Sequence, residues 1–401
     1  MSITADPNRW TTMRTAAVMA ASCSGLLVNV LPAVTGVLAK ELAFQPSMLG
    51  AFASANSLGG LAGGIAAIVV MRHHSPRTTV TVGLTISLVT NLISIVFGFA
   101  PYLIVLSALA GFGAGFTISA SLYVFGLVDR ERNSGAYILG QTVFATVGML
   151  AVPAIVAAFS WRAVFAMLGL ILIPPLLLAR YFPKDYRGEV SSATAAATAS
   201  RGTMWFGLVS AAFCSLATLV TWTYLERIGA EAGIAADVIT HGLTICTIGG
   251  FVSSVLVLVL GERVRGTKPL VVCVLLNVVG MVAMDSPNPW VYVAAISAFY
   301  FSLPIYLSAQ FGVIMRRAAS KRFAAQYQLA SRFGALGPAI GGVVAQQYDF
   351  AAIRWLGIVL MLTAFALLWV GFLGRPAEPT GSPASSPMES GENGGLTPRL
   401  P

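Results

Sequence analysis

The chain has 401 residues, 57% of them hydrophobic and only 10% charged, where a soluble globular domain carries about 25% charged residues. The charges gather in short loops between long apolar runs, which excludes a soluble globular protein and marks a polytopic membrane protein. The net charge of +9 does not argue for nucleic acid, because the basic residues concentrate in every second loop, as membrane topology requires.

A helix needs about 20 apolar residues to cross the hydrocarbon core of a bilayer. That length predicts twelve spans, at 15–38, 48–71, 79–99, 102–127, 136–159, 162–182, 204–226, 238–260, 269–285, 289–314, 324–346 and 352–374. The polar start, 1–14, leads into an apolar run too long for a cleaved signal peptide, so that run is read as a retained helix. Nineteen of the 24 lysines and arginines fall on the side of the N-terminus, four on the other side, and Arg332 falls in the membrane. This asymmetry predicts a cytoplasmic-membrane protein with both termini in the cytoplasm. The polar connection 183–203 divides a six-span bundle, 15–182, from a second, 204–374. It reads as a flexible linker, and the Pro/Gly/Ser/Glu-rich tail 375–401 as disordered.

In span one, Pro32 is expected to kink the helix. Asn29 needs a partner in lipid, so it should face inward. Cavity lining and helix–helix bonding both remain open for it, with Ser22 on the same stripe. Span two carries Gly59-Gly60 and Gly63-Gly64, which predict close helix packing. In span four, Gly111-Phe112-Gly113-Ala114-Gly115-Phe116 lacks the last glycine of a phosphate-binding loop and lies in a lipid-spanning run, so nucleotide binding is rejected. Ser119 and Tyr123 there, Gln141 in span five, and Tyr300 and Tyr306 in span ten are candidate cavity residues; an aromatic near a span end is equally an interface anchor.

Glu226 and Arg227 close span seven. They read either as a solvated surface pair or, for Glu226, as a proton-coupling or gating site. His241 is the other titratable candidate, and His73 and His74 read as loop residues. Cys23, Cys214, Cys246 and Cys273 each fall in an apolar run without metal or redox spacing, so they read as packing residues, and no metal or other cofactor is expected.

The most informative stretch is Gln326–Gly342, QYQLASRFGALGPAIGG. A cation at the centre of a membrane helix costs about 2.5–3.5 kcal/mol, and somewhat less where the side chain can reach toward the surface. Arg332 therefore reads either as a structural cation satisfied at a helix interface or as an anion-binding residue, with Gln328 one turn earlier on its face. All fifteen acidic residues fall in loops, tails or span ends. A lone guanidinium without a buried carboxylate suits an anion such as a carboxylate, which it can hold with two hydrogen bonds.

The two halves also echo one another. Gly148 precedes Val152-Pro153-Ala154-Ile155 in span five, and Gly334 precedes Gly337-Pro338-Ala339-Ile340 in span eleven. Trp161-Arg162 and Arg354-Trp355 then open the sixth span of each half. Internal repetition of this kind is a transporter device. With six plus six spans, the long middle loop, Ser160-Trp161-Arg162, the full Gly-Pro-x-x-Gly-Gly run at 337–342 and basic loops after spans two and eight, the chain resembles the major facilitator superfamily over nearly its whole length.

The resemblance implies an all-α membrane fold of twelve helices in two pseudo-symmetric bundles that rock about a site near the bilayer midplane. Spans one, two, four, five, seven, eight, ten and eleven would line the cavity. Its loop motif is recognisable at Gly261–Lys268, so Glu262 and Arg263 become gating candidates. In the first half Met71 stands where that family prefers an aspartate, and the gating role does not carry over. Span five keeps only Pro153 of the efflux-antiporter motif, which speaks against a drug antiporter.

The expectation is a monomeric secondary transporter, not an enzyme, that moves a small organic anion with a proton as candidate coupling ion and the bilayer as its setting. Exporters of drugs or neutral metabolites are the nearer rivals. A multi-span enzyme or a sensor lacks the convergent polar groups or the soluble domain it would need.

Overall fold

In the computed structural model, residues 7–127, 130–184, 201–264, 266–317, 326–327 and 329–373 are described. These are almost entirely helical, with no strand among them. The middle loop beyond Lys184, the tail from residue 374, and Gln328 lie outside the described residues.

Eight helices are long and apolar enough to cross a membrane, among them Pro46–Val70, Ala100–Phe125, Ala136–Ala158, Thr203–Glu231 and Ala236–Leu260. Four further segments fall short for visible reasons, and with them the architecture is consistent with twelve crossings. Span one is broken into Pro7–Ser24, Leu26–Asn29 and Leu31–Glu41. Span three, Pro76–Ser94, is rich in serine and threonine, and span nine, Thr267–Ala283, is short. Span eleven changes helix type midway.

Proline chemistry contributes to the break at Val30 and to the one in span eleven. A proline has no N–H to give to the carbonyl four residues back, and its ring crowds that carbonyl. Pro32 sits in the first turn of its helix, and the chain pauses at Val30 with φ −106° and ψ 12°. Pro338 likewise begins Gly337–Gln347, and the turn ahead of it, Arg332–Leu336, tightens to a 3₁₀ helix.

Helix pairs repeat between the halves: two with four and three with four in the first, eight with ten and nine with ten in the second. The glycines of span two do what their spacing predicts. A Cβ on Gly63 would strike the Phe112 carbonyl, and one on Gly115 of span four would strike that of Gly60, so these backbones touch.

The halves meet through spans two and eleven, five and eight, and one and seven. The bonds across this seam gather in one layer. Thr35 Oγ1 donates to the Thr223 carbonyl at 2.9 Å, Trp222 Nε1 to that of Val28 at 3.1 Å, and the Ala339 N–H to Ser54 Oγ at 2.9 Å. Thr146 and Thr247 hydroxyls pair at 3.2 Å. One apolar core runs through this layer from half to half, whereas the end of the first half that bears the N-terminus has a separate core built on Ala16, Ala20, Val80 and Phe125. The halves are thus fused at one end and part at the end that carries the chain termini.

Span seven departs from the sequence expectation. It runs to Glu231 instead of ending at 226, and closes at Gly233, whose φ of 80° is open to glycine; the Ile234 N–H then returns to the Gly229 carbonyl at 3.0 Å. The expectation that every acidic residue lies in a loop, tail or span end is corrected here, because Glu226 lies within the helix. Its carboxylate fills the space over Gly36 of span one, where a Cβ would collide with it. A charged pair that looks like a helix end in sequence is covered by residues distant in the chain.

Candidate functional site

A cavity of about 440 Å³ lies just beyond the fused layer, toward the termini. Five of the contributing spans, one, two, five, seven and eleven, are cavity on one side of a boundary and seam on the other. In span two the seam residue Ser54 is followed by Asn56, Ser57 and Gly60 in the cavity wall; in span eleven Arg332 and Ala335 line the cavity and Ala339 joins the seam. Span one gives Ser24, Gly25, Val28 and Asn29, span four Ser119, span five Tyr137 and Gln141, span seven Leu219.

Arg332 is the one charged residue lining this cavity among the described residues, and its side chain is exposed there. It opens the 3₁₀ turn that precedes Pro338. Gly334 and Gly337 fix this turn onto span seven: a Cβ at Gly334 would lie 2.7 Å from the Ser215 carbonyl oxygen, and one at Gly337 2.9 Å from that of Leu216. The guanidinium is therefore carried by a backbone held closely against the second half. Tyr137 of the opposite half lines the same cavity.

Facing it, Gln141 Nε2 donates to Tyr137 Oη at 2.8 Å, and Gly25 leaves room for that amide, since a Cβ there would come within 2.8 Å of Nε2. Asn56 Nδ2 donates to the Ser107 carbonyl at 3.0 Å. Two polar atoms on span one, Ser24 Oγ and Asn29 Nδ2, are shut off from water and have no hydrogen-bond partner. The geometry can hold a small solute by one cation and several amides and hydroxyls between apolar walls.

Residues 17–333 match the model of the Major Facilitator Superfamily. The chain belongs to the major facilitator superfamily. It is a membrane transporter of small solutes and not an enzyme. No curated protein sequence matches it. Among solved structures it is similar to the nucleoside transporter NupG, at 12% identity and a TM-score of 0.71 over 91% of this chain and 99% of that one. It is similar to a D-xylose–proton symporter at 13% identity and a TM-score of 0.68, over 90% and 96% of the two chains. A bacterial homolog of the human lysosomal transporter Spinster, inward-facing and unoccupied, aligns at 13% identity with a TM-score of 0.64, over 94% and 100%. At such identities these likenesses speak for the shared fold alone.

The superfamily member does not gather every residue singled out in its sequence. Arg332, Asn29 and Gln141 share the cavity. Tyr123, Tyr300 and Tyr306 do not line it. Tyr300 instead stacks on Trp222 with ring centroids 4.5 Å apart, and Tyr306 is fully buried in the second half. Tyr123 packs on the core at the terminal end of the first half. Ser22, expected on the stripe of Asn29, is buried against Gly140 of span five; the interruption at Gly25 lies between the two and shifts the helical phase. Ser24 takes the place in the wall that the unbroken stripe assigned to Ser22. Tyr137 escaped notice, although it lies one turn from Gln141 and on its face.

Glu226 lies in the fused layer instead of the cavity. Its Oε2 is 3.7 Å from Arg227 Nε and has no hydrogen-bond partner. A hollow of about 230 Å³ on that side is lined by Gly36, Lys40, Pro153, Glu226 and Thr240. Arg263 is exposed in the turn Gly261–Val264, while the side chain of Glu262 lies outside the described part.

Proposed function

We propose that this transporter carries a small organic anion, a carboxylate, by alternating access, with Arg332 as the group that binds the charge and Asn29 and Gln141 as polar contacts. The observation that carries this reading is a cation exposed in a closed-ended cavity with no other charged residue in its wall among the described residues. A fixed salt bridge would silence the guanidinium, and none is available within the described lining. A carboxylate can take two parallel hydrogen bonds from it. The chain would sit as a monomer in the cytoplasmic membrane with both termini inside, following the placement of nineteen of its 24 basic residues. The state seen is then closed to the outside and open to the cytoplasm.

Glu226 supports a coupling role for the proton. A carboxylate packed over Gly36 of the opposite half, with one oxygen unsatisfied, favours the closed layer in one protonation state more than in the other. Uptake of radiolabelled monocarboxylates into proteoliposomes tests both assignments. Arg332→Ala should weaken anion binding about 10–100-fold, the worth of a charged hydrogen-bonding group, with Arg332→Lys between it and wild type. Undiminished uptake by a folded Arg332→Ala protein would sink the anion reading. Glu226→Gln should leave counterflow intact and abolish stimulation by an imposed pH gradient. An unchanged pH response would remove Glu226 from coupling.

A second reading has its own support. Apart from Arg332 the polar wall is made of amides and hydroxyls, and the structural neighbours include proteins named for nucleosides and D-xylose. A neutral polar solute would fit that wall, and its uptake would survive Arg332→Ala.

A further inference from the structure

We infer that the solute carries, besides its anionic group, a second oxygen acceptor, and so belongs to the hydroxy- or oxo-carboxylates; this rests on the anion reading above and narrows it. Arg332 stands on span eleven, and across the cavity span one presents Asn29 and Ser24. Asn29 Nδ2 and Ser24 Oγ lack any partner and are cut off from water. A buried donor left unpaired is a standing cost to the empty protein, and such groups occur chiefly where something else completes them.

No neighbouring amide completes these two: the nitrogens of Gln141 and Asn56 are donors themselves, to Tyr137 Oη at 2.8 Å and to the Ser107 carbonyl at 3.0 Å, and no acceptor of the described residues lies within hydrogen-bond distance of Asn29 Nδ2 or Ser24 Oγ. No backbone carbonyl of the described residues lies within hydrogen-bond distance of either atom; the Asn29 N–H reaches the Gly25 carbonyl at 3.4 Å and that of Val30 reaches Leu26 at 3.0 Å. An acceptor brought by the cargo would supply the missing partner. The last torsion of an asparagine side chain is broad, so the amide can turn to meet it without leaving its rotamer. The same wall also holds Val28, Leu61, Ile118 and Leu219, which suits a carbon chain. A plain acid would engage Arg332 and leave the Asn29 donor unpaired. An acid with a hydroxyl or oxo group at the right carbon would fill both, and a site built around a hydrogen bond rejects the analogue that lacks it.

The test measures equilibrium binding by the full-length protein in lipid nanodiscs. The ligands are matched pairs of monocarboxylates of equal carbon number, one unsubstituted and the other bearing a hydroxyl or oxo group at successive carbons. Wild type should bind the best oxygenated member at least about 10-fold more tightly than its plain partner. Asn29→Leu replaces an unpaired amide with an apolar group of similar size, so it should fold at least as well. It should bind the two members with equal affinity, so that the preference for the oxygenated one is lost. The inference is overturned if wild type shows no preference at any position, or if Asn29→Leu keeps the preference. If wild type and Arg332→Ala bind the plain acids equally, the anion reading itself has failed and this inference falls with it. The two failures are told apart by the variant that responds.

Discussion

Spans five and eleven hold the same place in their halves, and each carries a proline followed by alanine and isoleucine, yet they are built differently. Arg130–Ala158 runs unbroken through Pro153. Span eleven tightens over Arg332–Leu336 and restarts at Gly337, one residue before Pro338. A proline alone is therefore not enough to interrupt the helix in this molecule. The difference lies in the residues just before it: Val152, fully buried, in span five, against Gly337 in span eleven, with Gly334 one turn earlier. Both glycines of span eleven lie against backbone of span seven, where no side chain could be placed. Close packing and low helix propensity combine there with the missing N–H, and the result sets a guanidinium at the start of a 3₁₀ turn, facing a cavity whose polar wall belongs mainly to the other half. The asymmetry supplies the charge from one half and most of the amides and hydroxyls from the other, so a bound solute bridges the two bodies that must move.

The largest effect should come from closing the gap between spans seven and eleven. A Cβ on Gly334 would fall 2.7 Å from both the Cβ and the carbonyl oxygen of Ser215, and backbone cannot step aside. Gly334→Ala should cost about 1–3 kcal/mol of stability, read as a lowered thermal midpoint of the purified protein, and should reduce solute affinity by displacing Arg332. A variant with unchanged midpoint and affinity would mean that the contact does not set the turn.

Much of this arrangement is legible in the sequence, for physical reasons that differ from place to place. Helix crossings are long apolar runs, and a run of that length has few other uses. The prolines at 32 and 338 and the glycine spacing of span two are local signals, although the partners they meet are not. Arg332, Asn29 and Gln141 stand out because polar side chains in apolar helices must face something polar. Tyrosines do not stand out in this way. A tyrosine supplies a large apolar ring with a polar tip, so it fills a core as readily as it lines a cavity. Tyr300 lies face to face with Trp222, and the sequence has no means of announcing that pairing. The length of span seven was equally hidden, since Glu226 and Arg227 read as an end until Gly36 and Phe350 cover them: Arg227 lies 5.7 Å from the Phe350 ring. Ser24 was lost to a change of helical phase that depends on where the chain breaks, to the residue.

A smaller effect should follow from the restart itself. A helix that begins anew exposes N–H groups without partners, and Ser54 of span two answers one of them by accepting from Ala339 at 2.9 Å. Span five has no break and needs no such cap; its bond to span eight is a hydroxyl pair, Thr146 with Thr247 at 3.2 Å. Ser54→Ala should therefore weaken the fused layer by about 1 kcal/mol, and Thr146→Val by less. Both can be read as a shift toward the outward-open form in the labelling of a cysteine placed at Ser57. The four native cysteines are buried, which keeps the background low. Equal shifts for the two variants would show that the restart contributes nothing of its own to the seal.

The smallest effect is expected at Gly148, the counterpart of Gly334 in span five. A Cβ there would meet Val30 Cγ1 at 2.6 Å and Leu26 Cδ1 at 3.2 Å, which are ends of side chains and not backbone. Val30 sits at the break in span one, where the chain has no regular helix to hold it in place. It can yield by a small rotation at little cost. Alanine also gains about 0.5–1 kcal/mol over glycine within a helix, and span five is continuous at this point. The two terms oppose each other, so Gly148→Ala should change the thermal midpoint by little in either direction. A loss as large as that of Gly334→Ala would mean that both fifth spans are pinned equally hard, and the break in span eleven would then have to be assigned to Pro338 and the rest of its surroundings.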